Sequence, residues 1–177
     1  VNVVLAYINL NSANQEFSFF ITGQIVIILI FLFFNFPYSK IFLGDSGAYL
    51  MGSLVALNTI ITNNLNPNIS SFFFCTLLFY IFFEVFFSFF RKLTQNKSPF
   101  YPDELHLHML SYYKISSFYG KEKANYINSI FLNLIYLILI TPGLYFIESP
   151  NLSRYWFFTL LILYILIYSR LYRLTKN

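Results

Sequence analysis

The residues best suited to chemistry lie in two short polar stretches of an otherwise apolar chain. The first is Lys40-Ile41-Phe42-Leu43-Gly44-Asp45-Ser46-Gly47. Gly44 and Gly47 let the backbone approach a ligand closely, and Asp45 offers a hard oxygen ligand at the start of a helix. Amides at such a helix end suit an anionic phosphate. The competing reading is structural, with Asp45 capping the following helix by accepting hydrogen bonds from its first-turn amides. The second stretch is Ser98-Pro99-Phe100-Tyr101-Pro102-Asp103-Glu104-Leu105-His106-Leu107-His108. Two histidines separated by one residue face the same way on an extended chain and suit contacts to phosphates, a metal or a carboxylate. Zinc is a poor match, because no cysteine or third histidine lies nearby and this spacing is not a helical ligand pair. Here the competing reading is a solvated loop beside a membrane.

A third candidate is Glu84, which interrupts an apolar run. An ionisable residue at membrane depth is costly, so it should face the bundle and have a partner. Arg91, seven residues on, shares roughly the same helical face. A structural ion pair or a snorkelling carboxylate is therefore expected ahead of a proton carrier. The Tyr and Phe stripes elsewhere read as lipid-facing packing and interfacial anchors rather than a cofactor site. Cys75 is the single cysteine, so an intrachain disulfide is excluded and it reads as a small apolar side chain.

The elements that must position these residues follow from composition. With 58% hydrophobic, 23% aromatic and 10% charged residues, the chain is too apolar for an ordinary soluble surface. The expected fold is an all-α, polytopic transmembrane helical bundle. A helix needs about 20 apolar residues to cross a hydrocarbon core of roughly 30 Å. Runs at 17–36, 70–90, 128–147 and 155–171 meet or approach that length, and a weaker one at 48–61 brings the expectation to about five spans. Residues 1–10 read as the end of another helix. Pro37, the Asn63–Asn68 segment and Ser149-Pro150-Asn151 punctuate the connections, and Pro142-Gly143 is expected to kink the span it falls in.

Of the 11 Lys and Arg, all but Arg154 fall on one side if five spans alternate. By the positive-inside bias that side is cytoplasmic, and the formal charge of +4 marks loops rather than a nucleic-acid surface. The cytoplasmic loops are then 37–47 and 91–127. They hold both Asp and both His of the chain. The sequence begins at Val1 without a signal peptide and shows no linker, so residues 1–177 read as the C-terminal part of one longer membrane domain.

Phe-Leu-Gly-Asp-Ser-Gly after one span, then Ser-Pro-Phe-x-Pro-Asp-x-x-His-Leu-His after two more, resembles the polyprenyl-phosphate N-acetylhexosamine-1-phosphate transferases of glycosyltransferase family 4. The likeness in span order covers essentially the whole chain, while its specificity lies in about 25 residues of the two loops. The resemblance implies that Asp45 is the magnesium-binding catalytic aspartate, that His106 and His108 are the catalytic histidine motif, and that Asn35 and Phe42 contact the nucleoside. Gly44, Arg91 and Asp103 join them as substrate-binding positions, and Glu84 stands where an aspartate is usual. Met109 replaces a further histidine, Glu104 stands where arginine is common, and the Asp-Asp pair of the family's N-terminal half is absent from these residues.

What the resemblance implies is transfer of a sugar-1-phosphate from a UDP-sugar to polyprenyl phosphate, releasing UMP and starting a cell-envelope polysaccharide. The cofactor would be magnesium, with manganese a workable substitute. The partners would be the UDP-sugar, the polyprenyl phosphate lipid, the membrane and, for self-association, a homo-oligomer. The site would face the cytoplasm from the inner membrane, and this piece alone would be inactive. The peptidoglycan branch of the family is a weaker match, since its histidines are adjacent whereas Leu107 intervenes here. The alternative from another class is a non-catalytic membrane subunit or transporter fragment, supported by Glu84, Arg91 and the Pro142-Gly143 break.

Overall fold

The computed structural model describes residues 1–37 and 40–176, the last without its side chain. Tyr38 and Ser39, within the expected 37–47 loop, lie outside the described residues. The described chain is helical, in the order α1 (Asn2–Asn11), α2 (Gln15–Asn35), α3 (Gly44–Leu65), α4 (Ser71–Leu77), α5 (Phe79–Thr94), α6 (Leu107–Tyr119), α7 (Lys121–Tyr145) and α8 (Pro150–Lys176). It divides into two compact units, Val1–Phe74 and Cys75–Asn177.

In the first unit α1 packs on both α2 and α3. α2 is apolar along most of its length and ends where Pro37 forces Phe36 into an extended backbone (φ −108°, ψ 131°). Polar side chains hold the helices together. Ser18 Oγ donates to the Ala6 carbonyl at 2.7 Å, tying α2 to α1. The Asn9 amide, fully buried, donates to Thr62 Oγ1 at 2.8 Å and accepts from Asn66 Nδ2 at 3.3 Å, tying α1 to α3. Gln24 and Asn58 exchange amide hydrogen bonds of 2.7 and 3.4 Å between α2 and α3. Apolar surfaces gain little by leaving lipid for one another, so such interhelical bonds carry much of the specificity.

In the second unit an aromatic seam joins α5 to α8. Tyr164 meets Phe83 edge-on at 4.9 Å between centroids, and Tyr168 meets Phe87 at 4.6 Å. Phe79, Leu107, Leu110 and Leu160 complete the buried cluster, which draws α6 against α8. Gly120, with φ +78°, joins α6 to α7 in a backbone region that side chains disfavour. Pro150 opens α8, where its missing N–H costs nothing.

Among the described residues, three helices are long and apolar enough to cross a membrane: Gln15–Asn35, Lys121–Tyr145 and Pro150–Thr175. They correspond to the expected spans 17–36, 128–147 and 155–171. The expected 70–90 span is divided, because α4 and α5 meet the same measure only together and are bent by 74° at their junction. The 48–61 run lies within α3, whose 22 residues include Gly, Ser, Thr and Asn positions that keep it outside the measure. The expected loop 91–127 is largely helical, holding the end of α5, all of α6 and the first turns of α7. α6 escapes a reading by pattern because only Leu107, Leu110 and Ser111 of its 13 residues are buried. Pro142 sits inside α7, which runs on to Tyr145.

Replacing Asn9 with Ala removes the buried interhelical bonds to Thr62 Oγ1 and Asn66 Nδ2, the latter keeping its bond to the Thr62 carbonyl. The expected cost is about 1–3 kcal/mol, read as a lower melting temperature in detergent, and an unchanged melting temperature would contradict the role assigned to this amide.

Candidate functional site

The first unit carries Asn35, Phe42, Gly44 and Asp45. Asn35 is the last residue of α2, half-buried, and Phe42 projects 89% exposed from the segment before α3. Gly44 opens α3 with φ +68°, a conformation that favours glycine. A Cβ at Gly47 would come within 2.8 Å of the Leu43 side chain, so this turn is close-packed as well as sharp. Asp45 is exposed in the first turn of α3. The capping reading of Asp45 does not hold, because the N-cap position belongs to Leu43 and no side-chain bond caps the helix.

The second unit gathers Arg91, Asp103, His106 and His108, with Glu84 at their centre. Glu84 lies on α5 and is 8% exposed. Its Oε1 lies 3.0 Å from His106 Nδ1 and accepts from the Leu107 backbone N–H at 3.0 Å. Its Oε2 accepts from the Tyr164 hydroxyl of α8. Leu107 is the first residue of α6, so a carboxylate from another helix meets the amide end that His106, with its extended backbone, does not cap. Negative charge at that end also matches the helix dipole.

The Glu84–Arg91 ion pair expected from their shared face does not form. Two helical turns beyond Glu84, the Arg91 Nη2 donates to Asp103 Oδ2 at 2.8 Å and to Ser88 Oγ at 3.1 Å. Asp103 wins this contact because the loop after α5 folds back over the helix end and puts a closer carboxylate beside the guanidinium. Lys92, buried, ties that fold down by donating to the carbonyls of Tyr101 at 2.6 Å and Pro99 at 3.3 Å. Among the described residues, Arg91 Nε and Nη1 are buried without a hydrogen-bond partner.

His106 Nε2 stands 3.5 Å from Asp103 Oδ1, and the two imidazoles stack with centroids 5.6 Å apart at 18°. The extended-chain expectation that both rings face one way thus holds in outcome, although His108 already belongs to α6. Asn128 of α7 fixes the backbone there, donating to the His108 carbonyl at 2.9 Å and accepting from Ser111 Oγ at 2.7 Å. Lys92, Asn128 and Tyr164 are the residues whose roles sequence reasoning missed, while for Glu84 it expected a bundle-facing carboxylate with a partner and missed which partners. The signal that Glu84 has partners was present, since a carboxylate inside an apolar run demanded them.

Burial acts to raise the Asp103 carboxyl, but the Arg91 hydrogen bond and charge, the Leu105 amide and the Lys92 charge outweigh it and hold the group below its ordinary 3.8. Burial lowers His108 below 6.5; the Glu84 charge opposes this and His106 adds to it. Among the described residues, no group of three or more His, Cys, Asp or Glu side chains is placed to hold a metal ion by itself.

Two outcomes follow. Replacing Asp103 with Ala strands the Arg91 charge, at a cost approaching about 3–5 kcal/mol and tempered by the 18% exposure of the Asp103 side chain. Because the folded Asp103 value is depressed, its contribution is full above pH 3.8 and is lost as pH falls through the lowered folded value. Acid unfolding of the wild type should show that loss, and the variant should not. A histidine NMR titration should give His108 a midpoint below 6.5; a midpoint above it would contradict the burial.

A family model described as glycosyl transferase family 4 matches residues 1–63. The chain is also similar to the undecaprenyl-phosphate alpha-N-acetylglucosaminyl 1-phosphate transferase of Thermotoga maritima, with 33% identity over 149 residues covering 82% of this chain and 48% of that protein. It thus spans about half the length of this curated relative. No solved structure matches. The two findings agree with the loop motifs and with the apolar helices around them, and the chain belongs to glycosyl transferase family 4.

Proposed function

We propose that the protein serves transfer of an N-acetylhexosamine-1-phosphate from a UDP-sugar to polyprenyl phosphate, at the cytoplasmic face of the inner membrane, as the first step of a cell-envelope polysaccharide. A phosphate oxygen of the lipid forms a bond to the β-phosphorus of the UDP-sugar, the bond from that phosphorus to the bridging oxygen breaks, and UMP leaves. The observation that carries this reading is Asp45, an exposed carboxylate in the first turn of a side-chain-uncapped helix, in a chain of this family.

Asp45 fits magnesium of a particular kind. Magnesium keeps waters and substrate phosphates in its shell and needs one or two protein carboxylates rather than a dedicated cage. When bound, it neutralises charge on the diphosphate. Phe42, exposed, is available to stack on the uracil, and Asn35 to hydrogen-bond the nucleoside. His106, His108 and Arg91 are assigned to phosphate oxygens, where donors held in place before reaction lower the barrier. In the same reading α3 and the bent α4–α5 pair are the two remaining crossings, which makes five. The transporter alternative finds less support, because Glu84 and Arg91 have local partners and α7 continues through Pro142.

The test is UMP release by membranes carrying the full-length protein, with UDP-N-acetylglucosamine, undecaprenyl phosphate and magnesium. Asp45→Ala should lower the rate by about 100-fold or more while the protein stays in the membrane. Retained activity would remove the metal role of Asp45, and no release with any UDP-sugar would overturn the transferase reading.

A further inference from the structure

We propose that Glu84 is the positioning residue of the histidine pair, fixing the His106 ring with Nδ1–H toward α5 and Nε2 toward the ligand, and that Tyr164 of α8 locks Glu84 in that role. The assignment rests on the transferase reading for its consequence in catalysis, but its geometry stands alone. Both Glu84 oxygens already act as acceptors, Oε1 from the Leu107 amide and Oε2 from the Tyr164 hydroxyl. A carboxylate has no proton to give, so the ring nitrogen 3.0 Å from Oε1 is the donor, which places a proton on Nδ1.

The other nitrogen is left for a ligand. Asp103 Oδ1 lies 3.5 Å from Nε2, at the outer limit for a hydrogen bond, and the partner Asp103 oxygen is held by Arg91. With the ring doubly protonated, Nε2–H donates to an approaching phosphate oxygen, which has only to displace a weak contact. The His108 ring lies near-parallel on one side, with centroids 5.6 Å apart. A carboxylate that orients an imidazole from behind is the general device for fixing both its tautomer and its direction.

The lock comes from the far end of the chain. The Tyr164 ring packs against Phe83 at 4.9 Å, Phe87 at 5.3 Å and Phe79 at 6.3 Å, so its position is set by packing and its hydroxyl has one task. Removing only that hydroxyl leaves the seam filled and frees one Glu84 oxygen.

The experiment is 15N NMR of histidine-labelled full-length protein in nanodiscs at about pH 8, above the ordinary histidine range, with the His106 signals identified by their loss in His106→Asn. The wild type should show Nδ1 protonated; a neutral ring protonated at Nε2 overturns the proposal whatever the activity. Glu84→Leu, which keeps volume and removes both acceptors, should mix the tautomers and lower kcat about 10- to 100-fold with KM changed less. Glu84→Gln keeps an acceptor for Nδ1–H and should recover most of the loss, and Tyr164→Phe should fall between Glu84→Gln and Glu84→Leu. Unchanged tautomer and kcat in Glu84→Leu would also overturn it; should that variant fail to fold, the wild-type spectrum and Tyr164→Phe decide. A wild type that shows the expected tautomer yet releases no UMP from any UDP-sugar would refute the transferase reading and leave the positioning role intact.

Discussion

One buried carboxylate organises the second unit. Glu84 sits in an apolar helix where an unpaired charge would be prohibitive, and its cost is offset by three donors from three places: an imidazole, the first amide of α6 and a tyrosine on α8. Each donor is fixed by something else, His106 by its stack on His108, α6 by Leu107 and Leu110 in the core, Tyr164 by its phenylalanine neighbours. The direction of dependence runs outward from the carboxylate, because none of these groups could replace it as acceptor.

Around that centre the two cations at the end of α5 divide the work. Arg91 meets a side chain, Asp103, and Lys92 meets main-chain carbonyls of Pro99 and Tyr101. A guanidinium suits a carboxylate because its planar fork matches it, whereas an ammonium can bind scattered carbonyls. Together they fold the proline-containing segment back over the helix and bring Asp103 to His106. The two prolines limit the conformations this segment can lose on ordering.

Much of this was legible in the amino-acid order, but unevenly. Long apolar stretches such as Gln15–Asn35 declare themselves, because lipid leaves a helix no alternative. The two polar loops were equally visible by contrast. α6 was not, since a short helix with few buried positions has little periodicity to read. The partner of Glu84 was misassigned for a related reason: spacing along one helix reveals which residues share a face, but the winning partners came from another helix and from the chain beyond it. For Asp45 the residue type suggested either a cap or a ligand, and the placement of Leu43 at the N-cap position speaks against the cap.

The amide seam of the first unit has a consequence for assembly. In lipid, one leucine-rich surface is nearly as good a neighbour as another, so α1, α2 and α3 could slide past each other with little change in apolar contact. Gln24 with Asn58, and Asn9 with Thr62 and Asn66, oppose such a slide, because a shift of one residue would break every one of these interhelical bonds. The seam works as a vernier, selecting a single axial alignment where the solvent is indifferent, and Asn35 and Asp45 on either side of the α2–α3 connection inherit that alignment.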